Sequence, residues 1–383
     1  MLFPSRKDII LPQTQPSGSA AQTVRFLLKQ ERRRLESMIL KMRITTNSTT
    51  LHTGAAWGGL AGIVKEIRVN INDGPAGGGQ RNVVQVSGVG CLAYVRQLGL
   101  NLDRQTQISY SSSPSSTAVN TTYEVSYYIP LRHPSFQEPL GNVLCLPLSQ
   151  TYLANDVWVE VDLWDIAAGG TVITANPPSY ATTQPLLLHT MMREIPDNFP
   201  YLRTELRTDT GFGPGSTANV PYEFTAGGFL TGFLVQGFSQ TIGNAATRSQ
   251  LLATSGQMRL EYGREVLIRT DENIQQALND MSAAEVYPDN ALSVGTGGTL
   301  QNRNFAGESF FDFLSDLPGV DAFSLASCLD LNADALGGDK LRLYFNDLAA
   351  TTRPIHVTSH RIVSPRGVVL DVVDKLAKAG ATA

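Results

Sequence analysis

The sequence predicts an all-β protein made of two copies of one domain in tandem, and three observations carry that prediction. The first is an internal repeat. Gly58–Val64 opens a strand-like run that continues to Asn72, and Gly227–Phe233 opens another that ends near Gln240. Tyr123–Pro130 is echoed by Glu308–Leu314, Asn155–Leu163 by Gly338–Phe345, and His189–Pro196 by His356–Val363. One such match means little, since strands resemble one another, but four in the same order imply a duplication. The second is composition. A chain of 383 residues, 42% hydrophobic and 17% charged, can bury two cores of ordinary size. Its wealth of Gly, Ser, Thr and Asn favours short strands joined by polar turns. The third is apolar alternation with a period of two, the mark of a strand with one buried face.

Residues 1–44 are expected to stand apart from the β pattern. Pro4, Pro12, Pro16 and Gly18 describe an extended arm that orders only against a partner. Val24, Leu27, Leu28, Leu35, Met38, Ile39 and Met42 fall on one helical stripe, which predicts an amphipathic helix over Gln22–Met42. Such a helix either docks on its own domain with a solvated basic back or lies at a lipid or nucleic-acid surface. The first β domain then spans 45–198, with Ile63, Ile67, Val69 and Ile71, then Tyr123 to Ile129, then Val157 to Leu163 as its clearest strands. Pro196 and Pro200 bracket a short seam, so the two copies should pack side by side. The second domain spans 199–366, with Leu341, Leu343 and Phe345 on one face of a strand. Short helical inserts are expected at Cys91–Leu100, Asp271–Ala284 and Val320–Leu329, and Asp271 suits an N-cap. Residues 367–383 read as a tail helix, with Val368, Val369, Val372, Val373 and Leu376 on its apolar side.

Charge is distributed unevenly. Nine basic side chains against three acidic ones give residues 1–43 a charge of +6, so the remainder carries −10 of the net −4. A cationic terminus on an acidic body faces something anionic. Cys91, Cys145 and Cys328 are odd in number, widely spaced and set among apolar neighbours, which points to buried thiols rather than disulfides or a zinc site. No apolar run reaches the ~20 residues of a membrane span, and no signal peptide is visible. Synthesis and folding in a cytosol are expected.

Chemistry is sparse. Asp73–Gln80 is Gly-rich but lacks the Gly-Lys-Ser/Thr ending of a phosphate loop and leads into a strand. His356 and His360 are four apart, which on a strand separates them by roughly 13 Å, too far to share an ion. His52, His133 and His189 have no nucleophile or carboxylate at a recognisable spacing. Glu160 and Asp162 share a strand face, as glycosidase carboxylates do, but solvated or interface charges are the simpler reading. No active site, metal site or cofactor site is expected, and the chain reads as a non-enzyme.

Two β domains of similar size behind a basic N-terminal segment resemble the double jelly-roll major capsid proteins of internal-membrane phages, large algal viruses and adenovirus hexons. The residues that carry the resemblance are Tyr127–Leu131, the loop through Pro139–Leu144, and the strand Val157–Val161, together with the position of Gln22–Met42. The resemblance implies two tandem eight-stranded jelly rolls, a homotrimer of pseudo-hexagonal outline, and a place in a virion's icosahedral capsid. It implies contacts with neighbouring capsomers and with minor capsid or penton proteins, and no specific nucleic acid. It also places the N-terminal helix beneath the shell, so that Arg25, Lys29, Arg32, Arg33, Arg34 and Lys41 face the interior or an anionic membrane there. The alternative is a carbohydrate-binding spike, fibre or lectin-like protein of two β-sandwiches, which needs clustered aromatic residues at one end. A two-domain glycan hydrolase has less support, for want of paired carboxylates.

Overall fold

Strands account for nearly all of the regular structure in the computed structural model. It describes residues 6–45, 53–54, 63–72, 80–88, 90–91, 122–129, 131, 145–149, 153, 155–167, 173–175, 178–193, 201–209, 220–239, 252–272, 274–275, 308–313, 328–331, 339–348 and 352–363. The tail helix over Val368–Ala379, His52, His133, Trp57 and most of the helical inserts lie outside them.

The first half supplies β1 (Arg6–Ile10), β2 (Gln22–Leu28), β3 (Arg34–Thr45), β4 (Thr53–Gly54), β5 (Val64–Asn72), β6 (Gln80–Ser87), β7 (Thr122–Ile129), β8 (Leu146–Pro147), β9 (Val157–Leu163), β10 (Ile173–Ala175), β11 (Ser179–Tyr180) and β12 (Leu186–Arg193). The second half supplies β13 (Tyr201–Asp209), β14 (Val220–Glu223), β15 (Phe229–Ser239), β16 (Leu252–Tyr262), β17 (Glu265–Thr270), β18 (Glu308–Asp312), β19 (Leu329–Asp330), β20 (Leu341–Leu348) and β21 (Thr352–Val363).

Setting aside the short strands β4, β8, β10, β11 and β19, each half contributes eight. Their pairing is identical. In the first half β1 pairs β12, β12 pairs β3 and β3 pairs β7, while β2 pairs β9, β9 pairs β5 and β5 pairs β6. In the second, β13 pairs β21, β21 pairs β15 and β15 pairs β18, while β14 pairs β20, β20 pairs β16 and β16 pairs β17. First to eighth to third to sixth, and second to seventh to fourth to fifth, is the wiring of an eight-stranded jelly roll. Each roll has its own core. Phe26, Met38, Ile67, Val159 and Leu188 belong to one cluster, and Phe233, Phe311, Leu343, Phe345 and Val357 to the other.

The N-terminal helix expected over Gln22–Met42 is not formed; the segment is β2, a polar turn and β3. The physical reason is visible in the burial. Val24, Phe26 and Leu28 point inward, as do Met38, Leu40, Met42 and Ile44, a period of two that the helical stripe ignores by leaving out Phe26, Leu40 and Ile44. Residues 6–45 are therefore the first three strands of the first roll, not an arm beside it.

Three of the four sequence echoes join equivalent strands: β7 with β18, β9 with β20, and β12 with β21. The first does not. Gly58–Asn72 contains β5, whereas Gly227–Gln240 contains β15, whose counterpart by wiring is β3.

Candidate assembly surfaces

With cores on the inside of each roll, what remains for function is the outer faces of the sheets and their edges. On the outer face of β2, β9, β5 and β6, charges are matched across strands. The Thr23 hydroxyl donates to Asp162 at 2.6 Å, Arg25 Nε to Glu160 at 2.8 Å, and Asn70 Nδ2 to Glu160 at 2.9 Å. Arg68 lies 2.9 Å from Asp162 and 3.6 Å from Glu160. Burial pushes the Glu66 carboxyl up despite the hydrogen bond it accepts from Gln85. Glu160 and Asp162 are thus held between basic and polar side chains, in the manner of a cross-strand ladder.

The opposite sheet carries a second group on β3, β7 and β12. Lys41 Nζ donates to Glu124 at 2.7 Å and Arg43 Nε at 3.1 Å. Partial burial pushes Glu124 up, but these two donors outweigh it and hold the carboxyl below its usual range. Beside them His189 is pushed down by burial and by the Lys41 charge. On the second roll Glu223 accepts from Lys340 at 2.6 Å and from Arg342 at 3.0 Å, which lowers it too.

The six basic residues expected on one face do not share one. Val24 and Phe26 flank Arg25 and point into the core, so Arg25 projects from one sheet; Lys41, between buried Leu40 and Met42, projects from the other. Lys29, Arg32 and Arg33 sit on the turn between β2 and β3, where Arg33 lies 3.7 Å from Glu31. Arg34 is buried in the first residue of β3.

His356 and His360 stand on β21 opposite Thr208 and Thr204 of β13, and burial pushes His356 down to about 4. Two residues were not singled out by sequence. Arg361, 1% exposed, donates to the carbonyls of Thr225 at 2.7 Å and Gly227 at 3.2 Å and pairs with Glu205. It ties β13, β21 and the turn into β15 together. All three cysteines are buried thiols, and burial raises Cys328 to about 12.

Among the described residues, the exposed large apolar side chains lie in two places. Ile9 and Leu11 lie on and just after β1, at 63% and 51% exposure; Val266 and Leu267 lie on β17 at 49% and 38%, and Ile274 just beyond it at 55%. Ile274 is held by a short turn in which its N–H donates to the Asp271 carboxylate at 2.8 Å, the N-cap expected there. Sequence offered a signal for both places, the apolar runs Ile9–Ile10–Leu11 and Val266–Leu267–Ile268. A cleft of about 390 Å³ at one end of the first roll is lined by Trp158, Asn70, Asn72, Asn155 and Asp156.

Comparison with protein-family models gives no match, and comparison with curated proteins gives none. Solved structures do match along nearly the whole chain. The major capsid protein of Sulfolobus Turreted Icosahedral Virus is 12% identical with a TM-score of 0.56, over 94% of this chain and 97% of that one. The PBCV-1 virus capsid protein is 9% identical with a TM-score of 0.55, over 94% of each chain. The major capsid protein of Bacteriophage PM2 is 9% identical with a TM-score of 0.51, over 95% of this chain and all of that one. With two complete rolls wired alike and these likenesses spanning both, the chain has the double jelly-roll fold of viral major capsid proteins.

Proposed function

We propose that this chain is a viral major capsid protein, a structural protein of the virion that associates as a homotrimer and tiles an icosahedral shell. The observation that carries the reading is the pair of identically wired rolls set side by side in one chain. Three such chains present six similar bodies around an axis, an outline that packs a surface evenly. The fold likeness supports the same reading, since the solved structures that share the fold are capsid proteins. The division into two rolls follows the cores, with residues 6–193 forming the first and 201–363 the second. Neighbouring capsomers and minor capsid or penton proteins are the expected partners.

Of the six basic residues, Lys29, Arg32 and Arg33 share the turn between β2 and β3 and are the candidates for an interior or anionic lipid surface, each contributing about 1 kcal/mol there. Arg25 and Lys41 project from opposite sheets, and Arg34 is inside. The test of the central reading is light scattering with negative-stain imaging of the purified chain. A mass of three chains and a hexagonal outline are expected; a monomer at micromolar concentration overturns it.

Carbohydrate binding is a second reading with one observation in its favour. The Trp158 cleft sets an indole beside three Asn and an Asp, the mix of apolar face and amides that saccharides use. A glycan array on which Trp158→Ala loses every reproducible signal would support it.

A further inference from the structure

Trp158 stands on the outer face of β9, with Leu27 of β2 and Asn70 of β5 opposite it in register on either side. This row lies near the end of the face, and the next row along is the ion-paired one of Arg25, Glu160 and Arg68. Asn70 is buried, and its Nδ2 donates to Glu160 at 2.9 Å, which fixes the amide and keeps its oxygen for another donor. Asn72, Asn155 and Asp156 complete the walls of the cleft.

The turn between β2 and β3 is pinned to one of those walls. The Gln30 N–H donates to the Asp156 carboxylate at 2.9 Å, its side-chain amide donates to the Leu153 carbonyl at 2.8 Å, and the Glu31 N–H donates to the Leu148 carbonyl at 3.0 Å. Glu31, the acid of the turn, lies 3.3 Å from Arg6 and 3.7 Å from Arg33. Lys29 and Arg32, which flank the pinned Gln30 and Glu31, are exposed and have no ion pair among the described residues. An indole with amides around it suits a body covered in hydroxyls. Two cations on a fixed turn beside it suit a phosphate or a carboxylate.

We infer that the cleft and the turn form one site for an anionic polyol, whose hydroxylated body packs on Trp158 and the amides while its charged group meets Lys29 and Arg32. This rests on the saccharide reading of the same cleft and adds the ligand class; the capsid reading does not depend on it. Asp156 sets the direction of binding, because its charge repels the anionic end from the wall and leaves the turn as the place for it. A free sugar phosphate and the glycerophosphate headgroup of a lipid both carry this chemistry.

Saturation-transfer NMR titration of the full chain with glucose 6-phosphate and with glucose tests the site. The phosphate is expected to bind about tenfold tighter, as one charge-assisted contact open to water would give. Lys29→Ala with Arg32→Ala should erase that preference with unchanged circular dichroism. Arg264→Ala with Arg269→Ala, a control of equal charge at exposed positions on the second roll, should keep it. Trp158→Ala should lose both sugars. Co-sedimentation with phosphatidylcholine vesicles containing phosphatidylglycerol separates the sources: binding that both site variants abolish marks the headgroup, and a phosphate preference without vesicle binding marks the free sugar. Equal affinity for the two sugars, or a preference that survives loss of Lys29 and Arg32, overturns the anionic assignment and leaves the saccharide reading standing. Binding of neither sugar nor vesicles overturns both.

Discussion

Arg361 shows what a single buried charge does in a sheet protein. Its guanidinium satisfies two carbonyls of the turn that enters β15 and the carboxylate of Glu205, which stands opposite Ser359 on β13. That turn needs glycine. Gly228 has φ of 80°, and a Cβ there would sit 2.5 Å from the Ile362 carbonyl oxygen. Removing Arg361 takes the guanidinium from two carbonyls and from a carboxylate that keeps the Thr225 hydroxyl at 3.3 Å, so Arg361→Met is expected to destabilise by about 3 kcal/mol, at the lower end for a broken buried pair because Glu205 is partly solvated. Adding Glu205→Gln should recover part of that loss, as urea unfolding of the single and double variants would measure. If the double variant is no more stable than Arg361→Met, the charge pair is not what the arginine serves. Little of this was legible in the sequence. Arg25 and Glu160 are 135 positions apart and Arg361 and Glu205 are 156 apart. A count of charges along residues 1–43 finds the excess but not the register that neutralises much of it.

β2 and β3 show where pattern reading fails at the scale of an element. Their apolar residues satisfy a helical stripe and a strand alternation at once. The tie is broken by Phe26 and Ile44, which suit a pleated surface, and by Lys29–Gln30–Glu31–Arg32–Arg33, a polar interruption that a continuous helix would not require. Strands with clear alternation, β5, β9 and β20, were legible because each has one buried face and one more open to solvent; β7, also read as alternating, is buried on both faces from Val125 to Ile129. The helical reading of β3 also hides its equivalence to β15, which the wiring shows and the Gly58–Asn72 echo does not. The correction changes what a truncation does. As a peripheral helix, residues 1–43 would be dispensable for folding. As the strands that pair with β12, β7 and β9, they hold both sheets of the first roll. Deleting 1–43 is therefore expected to give insoluble or unfolded first-roll material rather than assembly-defective trimers. A soluble product with native circular dichroism would contradict the assignment of these strands.

At the scale of the whole molecule, duplication turns one problem into its own solution. A lone jelly roll ends in free edges, which natural sheets hide or charge. Here the first strand of the second roll lies parallel to the fifth strand of the first, whose Val83, Val84 and Val86 sit in the first roll's core, while its counterpart β17 leaves Val266 and Leu267 exposed. Two strands at the same place in the same wiring thus have different neighbours: β6 lies between β5 and β13, whereas β17 pairs with β16 alone among the described residues. The sequence could show that there were two copies and that they touch. It could not show which edges meet, because that depends on pairings between strands with no local signature. The contrast predicts unequal responses to one kind of substitution. Val84→Asp puts a carboxylate into the fully buried core of the first roll and should lower the melting temperature of the chain at any concentration. Val266→Asp, on the equivalent strand, should leave the unfolding of the chain within about 0.5 kcal/mol of the parent, as changes at exposed positions do. Scanning calorimetry of both variants over a range of chain concentrations separates the two behaviours. Equal losses in both, independent of concentration, would mean that β17 is as much a part of its roll's interior as β6 is of the first roll's.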